Sequence, residues 1–244
     1  MPVSETPPHG SPFEQTRWSI VIASRNTDDT THARDALGKL CTTYWYPLYA
    51  FVRREGHDST DAQDLTQEFF ARLLEKNWLA AVDREKGKFR SFLLAAMRHF
   101  LANEWDRAHR LKRGGGVTTL SLDAHTAEER YAFEPADSMT ADRLFERRWA
   151  LTLLEQVLAQ VRHEFAAAGR EKLFDELKVA LTGGKVPYAE IAARLNLSEG
   201  AVRAAVHRLR LRYRDLLRSE IAETVATEDE IDAEVQHLFA ALAT

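Results

Sequence analysis

The sequence predicts an all-α fold, with two helical domains joined by a linker and followed by an acidic C-terminal helix. Apolar residues recur at three- and four-residue intervals through nearly every long segment, and strand-like alternation between hairpin turns is missing. Gly114, Gly115 and Gly116 interrupt this pattern, and from there to about Thr140 the composition shifts to Thr, Ser, Asp, Glu and Pro. Such a shift is typical of a connection between two domains.

The predicted organisation follows the chain in five parts. The N-terminus combines Pro, Ser and Gly without a basic and then apolar region, so it is interpreted as disordered and not as a signal peptide. Helical periodicity defines the two domains, and an apolar stripe defines the extension. The parts are a disordered start at 1–12, a helical domain at 13–113, a linker at 114–143, a second helical domain at 144–218 and an acidic helical extension at 219–244.

Three apolar stripes give the first domain its predicted core. Each stripe has helical spacing, and Trp105 continues the third one, which favours a core role for it. The stripes are Tyr44, Leu48, Phe51 and Val52; Leu65, Phe69 and Leu73; and Phe89, Leu93, Met97, Phe100 and Leu101.

The net charge of −4 conceals a strong partition of charge along the chain. Residues 84–113 carry nine basic and three acidic side chains, and residues 203–218 carry six Arg and one Asp. Residues 219–244 carry seven acids and neither Lys nor Arg. Two basic stripes and an acidic tail indicate local contact with an anionic partner, despite the acidic balance of the whole chain.

Several classes of protein are disfavoured by the composition. The single Cys41 excludes an internal disulfide and a Cys-rich zinc site, and no apolar run approaches the length of a membrane span. A zinc-protease pattern that begins at His163 lacks its second His at Ala167. We therefore expect a cytoplasmic protein without membrane contact, catalytic residues, metal or cofactor.

Residues 188–210 have the spacing of a helix-turn-helix. Ala192 provides a small residue in the first helix, Asn196 tolerates a left-handed turn, and Val202 anchors the second helix. Ser198 is suited to cap the second helix. The predicted small core consists of Ile191, Leu195, Leu197, Val202, Val206 and Leu209.

The other face of that second helix is polar and basic. Arg and His side chains there suit base edges and phosphates in a major groove, although a solvated basic face would look the same. The candidate DNA-binding residues are Ser198, Glu199, Arg203, His207, Arg208 and Arg210.

The first domain contains an acidic and amide-rich helical face. The run D-A-Q-D-L-T-Q-E-F-F places Asp61, Asp64, Gln67 and Glu68 on or beside one face. Such a face is either solvated surface or a docking site for a basic helix. The run resembles the helix by which sigma factors of the sigma-70 superfamily bind the clamp helices of the largest polymerase subunit.

Two further segments extend the resemblance to sigma factors of the extracytoplasmic-function (ECF) type. The block from Phe89 to Arg113 is similar to the family's promoter-melting helix, and the helix-turn-helix is similar to its −35-reading domain. The resemblance implies core RNA polymerase and promoter DNA as partners, and it leaves the existence of an anti-sigma factor open. It also implies −10 contacts by Arg90, Arg98, His99, Asn103, Arg107 and Arg110.

The C-terminal extension departs from the usual small sigma factor. Thr227 and Glu230 form a capping box, and Ile231, Val235 and Leu238 lie on one apolar stripe. The helix is expected to pack on the second domain. A sharper hypothesis is autoinhibition, in which the acids cover the basic stripe at 203–218.

Two other functions remain open from the sequence. One is a stand-alone helix-turn-helix transcriptional regulator whose first domain binds a ligand or dimerises. The other is a helical adaptor that binds a protein partner and never touches DNA.

Overall fold

The fold is all-α, as predicted. The structure is a computed structural model that describes residues 30–75, 88–110, 124–134, 139–225 and 227–243. Within these ranges there is no strand. The helices are α1 (Thr30–Arg54), α2 (Ser59–Glu75), α3 (Phe89–Arg110), α4 (Ala124–Ala132), α5 (Ala141–Ala167), α6 (Glu171–Leu177), a 3-10 helix (Lys178–Leu181), α7 (Tyr188–Leu195), α8 (Glu199–Ala222) and α9 (Asp229–Leu242).

The chain divides into two compact units. The first comprises Met1–Ala150 together with Ala222–Thr244, and the second comprises Leu151–Ile221. Both boundaries fall inside helices, within α5 and at the end of α8. The predicted boundaries at 143 and 218 differ from these, because helical periodicity continues across each point and composition does not mark them.

The core of the first unit is built from the predicted stripes. Large side chains from α1, α2, α3 and α5 are fully buried, and aromatic pairs such as Phe69 and Phe100, with ring centroids 5.8 Å apart, join neighbouring helices. Burial of each large apolar side chain contributes about 1.5–3 kcal/mol. The largest buried side chains include Tyr44, Leu48, Phe51, Phe69, Leu93, Met97, Phe100, Phe145 and Trp149.

The predicted linker contains a helix that packs on α1. In α4, Glu128 accepts hydrogen bonds from Arg53 Nε at 3.0 Å and from Tyr49 Oη at 2.5 Å, and Arg53 also lies 4.7 Å from the ring centroid of Tyr131. The linker prediction for 114–143 therefore missed α4 and the start of α5, since α4 docks mainly through polar contacts. The remainder of that range, and the prediction for 1–12, lie outside the described residues.

The acidic tail forms the predicted helix. Thr227 N donates to Glu230 Oε2 at 3.4 Å, which is one half of the capping box, and α9 follows. Its buried residues Ile231 and Leu238 belong to the first unit. Its buried Glu234 pairs with Lys88 and Arg90, and His237 lies 3.0 Å from Glu146 of α5, so the tail contacts residues from both predicted domains. The hypothesis that its acids cover 203–218 stays a prediction.

Candidate functional site

The acidic face predicted on α2 is present. Asp61 and Asp64 are exposed, whereas Gln67 and Glu68 are half-buried. Arg72 pairs with Glu68 one turn earlier and with Glu104 of α3 at 2.7 Å. This bridge fixes α2 against α3. The face therefore presents the exposed carboxylates of Asp61 and Asp64 and the carboxylate of Glu68, which is paired with Arg72.

An open groove of about 600 Å³ lies beside this face, between α2 and α3. Its apolar wall includes Phe51, Leu65, Leu101 and Trp105. Its polar lining contains five carboxylates against Arg98 and His57, namely those of Glu55, Asp61, Asp64, Glu68 and Glu104. An acidic rim around an apolar floor attracts a basic amphipathic segment and repels phosphates.

The interpretation of Trp105 as a core residue is wrong. Its side chain is 63% exposed and lines the groove. The third apolar stripe ends in the structure at Phe100, which is fully buried, while Leu101 is only half-buried. The spacing of Trp105 on the helix was compatible with the core, but the groove opens where a neighbouring helix would have covered it.

Part of the predicted −10 set lies at exposed positions of α3, and one member, Arg98, also lines the groove. Arg98, His99 and Asn103 are exposed. Arg98 pairs with Asp142 of α5 and lies 5.9 Å from the ring centroid of Phe51. Arg107 and Arg110 belong to the helix, but their side chains lie outside the described part of the structure.

Arg90 is not among these exposed residues. It is only 5% exposed, and its guanidinium pairs with Glu234 of α9 and with Glu146 of α5. This placement differs from the predicted DNA contact, because a buried guanidinium between two carboxylates cannot reach a phosphate in this conformation.

In the second unit, α7 and α8 are joined by a tight turn at the positions predicted for a helix-turn-helix. Asn196 ends α7 in the left-handed conformation, with φ of 53°, and Leu197 N donates to Ala192 O at 2.9 Å. Ser198 Oγ accepts from Ala201 N at 3.2 Å and so caps α8 as expected. Ile191, Val202, Val206 and Leu209 are buried, but Leu197 is 43% exposed, so its predicted core role is wrong.

The candidate DNA-reading residues share the exposed side of α8. Ser198, Glu199, Arg203, His207, Arg208 and Arg210 are all exposed. Arg203 lies 4.4 Å from the ring centroid of Tyr188 and 3.3 Å from Glu199 Oε2, whereas Arg210 Nε donates to Ala180 O at 3.1 Å. Arg210 is thus held toward the 3-10 helix, while His207 and Arg208 stay solvent-facing.

Residues 42–111 match the family model described as Sigma-70 region 2. This match supports the assignment of the chain to the sigma-70 family. It spans α2, α3 and most of α1, and so includes the acidic face and the predicted −10 helix. The comparison with curated proteins found no match, and the comparison with solved structures found none.

The segment that matches this family model makes a contact that sequence reasoning missed. Lys88 and Arg90, at the start of α3, each lie 2.5 Å from Glu234, which is 1% exposed. Burial alone would raise the pKa of Glu234, but hydrogen bonds from Arg90 and Lys88 outweigh it and hold the pKa below its ordinary value. The only signal in the sequence was an acid, Glu234, inside the apolar stripe of the tail.

The described residues contain neither a metal-binding cluster nor a membrane-spanning helix. Among them, no cluster of three or more His, Cys, Asp or Glu side chains is arranged to hold a metal. Also among them, no helix is long and apolar enough to span a bilayer.

Proposed function

We propose that this protein is a sigma factor of the ECF type, which binds core RNA polymerase and directs promoter-specific initiation. The match of residues 42–111 to Sigma-70 region 2 carries the proposal. The helix-turn-helix that follows in the second unit supports it, because the two parts stand in the order that a two-domain sigma factor requires. Because a sigma factor acts together with polymerase on chromosomal DNA, we expect this protein to be cytoplasmic. We also expect it to need neither a cofactor nor catalytic residues.

The groove between α2 and α3 is the proposed docking site for the clamp helices of the largest polymerase subunit. Asp61, Asp64 and Glu68 supply negative charge at the rim, and Trp105 supplies an exposed apolar surface. A basic helix with an apolar stripe complements both features. Gln67 contributes less, because its Nε2 is shielded from solvent.

The exposed face of α3 is the proposed −10 surface. Arg98 and His99 provide cationic or hydrogen-bonding groups for phosphates of a separated strand, and Asn103 provides a neutral donor and acceptor. Arg107 and Arg110 are proposed to extend this surface by their positions on the same helix. Arg90 is left out, since it is buried.

The α8 helix is the proposed reader of the −35 element. A recognition helix contacts base edges with residues near its N-terminus, where Arg203 and His207 lie. Ser198, Glu199 and Arg208 flank them, and Arg210 is partly committed to the carbonyl of Ala180. The linker between the two contacts makes them cooperative, because binding at one contact raises the effective concentration of the other at its own site.

The docking proposal is tested with an Asp64→Lys variant. Reversal of one exposed rim charge should weaken binding to core polymerase by about tenfold or more, because opposite charges across the interface become like charges. Glu190→Lys makes the same change of charge on exposed α7 and should leave the affinity within about twofold.

Affinity for core polymerase and affinity for duplex DNA, measured on the same protein, together distinguish the remaining functions. Affinity for core polymerase that is undetectable, together with tight binding to duplex DNA, would establish a stand-alone regulator. Binding to neither would indicate an adaptor. An anti-sigma factor, if the protein has one, would be expected to compete for the same groove or for α8.

A further inference from the structure

The C-terminal segment lies against the start of α3. The backbone N–H of Phe89 donates to the carbonyl of Thr224 at 3.4 Å. The carboxylate of Glu234 pairs with Lys88 Nζ and Arg90 Nε, each at 2.5 Å. One segment thus satisfies both a backbone donor and the charges at the beginning of this helix.

The α3 helix needs such a partner because its own first turn is unfavourable. The first turn contains no acidic residue, carries Arg90 and is preceded by Lys88. The first N–H groups of a helix lack partners, and the positive end of the helix dipole disfavours cations. Glu234, 144 residues after Arg90, therefore supplies the negative charge that the local sequence lacks.

The contact belongs to a network in which Arg90 and Glu234 are buried and Lys88, Glu146 and His237 are partly exposed. Arg90 also pairs with Glu146 and lies 5.0 Å from the ring centroid of Trp149, and Glu146 Oε2 lies 3.0 Å from His237 Nε2. Two cations thus face two carboxylates, with His237 beside them. Loss of one carboxylate would leave a buried cation with incomplete compensation, which is costly.

We propose that Glu234 is a positioning residue for promoter opening. Together with Thr224 it caps α3 and fixes the helix whose exposed face carries Arg98, His99 and Asn103. This inference rests on the proposed function. It makes the C-terminal helix α9 a structural support of α3, which carries the proposed −10 surface. The opposite interpretation is that the C-terminal helix covers Arg90 and keeps it from DNA. Loss of Glu234 would then speed promoter opening, whereas our proposal predicts that it slows opening.

Hydrogen exchange in the full-length protein tests the cap directly. A Glu234→Gln variant should show amide exchange at residues 89–93 at least about tenfold faster than the wild type, because the first turn of α3 loses its charge partner. An Asp229→Asn variant removes an exposed acid from the same helix and should stay within about twofold. Unchanged protection of residues 89–93 in folded Glu234→Gln protein would overturn the proposal.

Promoter opening by the holoenzyme tests the role. Glu234→Gln should slow opening by about tenfold, with polymerase affinity within about threefold of the wild type. An Arg90→Met variant should keep opening within about threefold of the wild type, because Glu234 stays paired with Lys88 and still caps α3, and Glu146 keeps His237.

The other outcomes are equally decisive. Faster opening by Glu234→Gln, or loss of opening by a folded Arg90→Met variant, would show that Arg90 acts on DNA and would overturn the proposal in favour of a cover. If Glu234→Gln does not fold, Arg90→Met alone decides between these roles. If the wild type opens no promoter, the proposed function fails, and the exchange at residues 89–93 still decides whether Glu234 caps α3.

Discussion

Arg203 is held in place before any DNA arrives. Its guanidinium lies 4.4 Å from the ring centroid of Tyr188 and 3.3 Å from Glu199 Oε2. Contacts of this kind restrict a long side chain and so reduce the entropy that is lost when it binds a base. Among the candidate residues on α8, Arg203 is therefore the one for which we predict base reading.

Replacement of Arg203 by Ala should weaken binding to the preferred −35 duplex by about 1–3 kcal/mol and relax discrimination at one base pair. The measurement is binding to a set of duplexes that differ at single positions. Arg214→Ala, which removes another exposed Arg from α8, should leave sequence preference unchanged. A uniform loss across all duplexes for Arg203→Ala would identify a phosphate contact.

At the scale of single elements, Ser198 determines how α8 begins. Its Oγ accepts the N–H of Ala201 at 3.2 Å, directly after the left-handed residue Asn196. Ser198→Ala should lower the free energy of unfolding by about 1 kcal/mol, whereas Ser198→Asp should retain the cap. Chemical denaturation checks both, and equal stability of the Ala and Asp variants would contradict the capping role.

The docking of α4 on α1 should depend on pH. Hydrogen bonds from Arg53, and then from Tyr49, hold the pKa of Glu128 below its ordinary value of 4.5, against the opposing effect of burial. A carboxylate with a lowered folded-state pKa contributes stability above about pH 4.5, and this contribution is lost as the pH falls through the folded value.

Glu128→Gln should therefore lower the free energy of unfolding near pH 7 by at most about 1 kcal/mol, because Glu128 is partly exposed and screened. The difference from the wild type should shrink as the pH falls below about 4.5, measured by denaturation between about pH 3 and 7. Glu55→Gln, a matched loss of one exposed acid, should show no such convergence. A constant difference at all pH values would contradict the ion-pair account.

Apolar periodicity predicted the elements that dock through apolar side chains. The stripes through Leu48, Phe69 and Met97 are buried as expected, and so is Val202 in the helix-turn-helix. The α4 helix was missed because its contacts run mainly through Glu128 and Tyr131, and polar docking leaves no periodic trace. Trp105 was misplaced because spacing shows which face a residue is on, not what covers that face.

At the scale of the whole molecule, the first unit is assembled from both ends of the described chain. Residues 222–244 return to the region 2 segment, where Glu234 meets Lys88 and Arg90. The sequence showed an acidic helix and two basic stripes, and charge alone allowed it to pair with either. The pairing of Glu234 with Lys88 and Arg90 accompanies burial of Ile231 and Leu238, which one-dimensional patterns do not encode.

The measurement that tests the central claim most directly is transcription from a promoter library by purified core polymerase, with and without this protein. We predict new start sites in its presence, which share −10 and −35 sequences and are lost with Asp64→Lys but kept with Glu190→Lys. No new start sites from a protein that still binds duplex DNA would contradict the account.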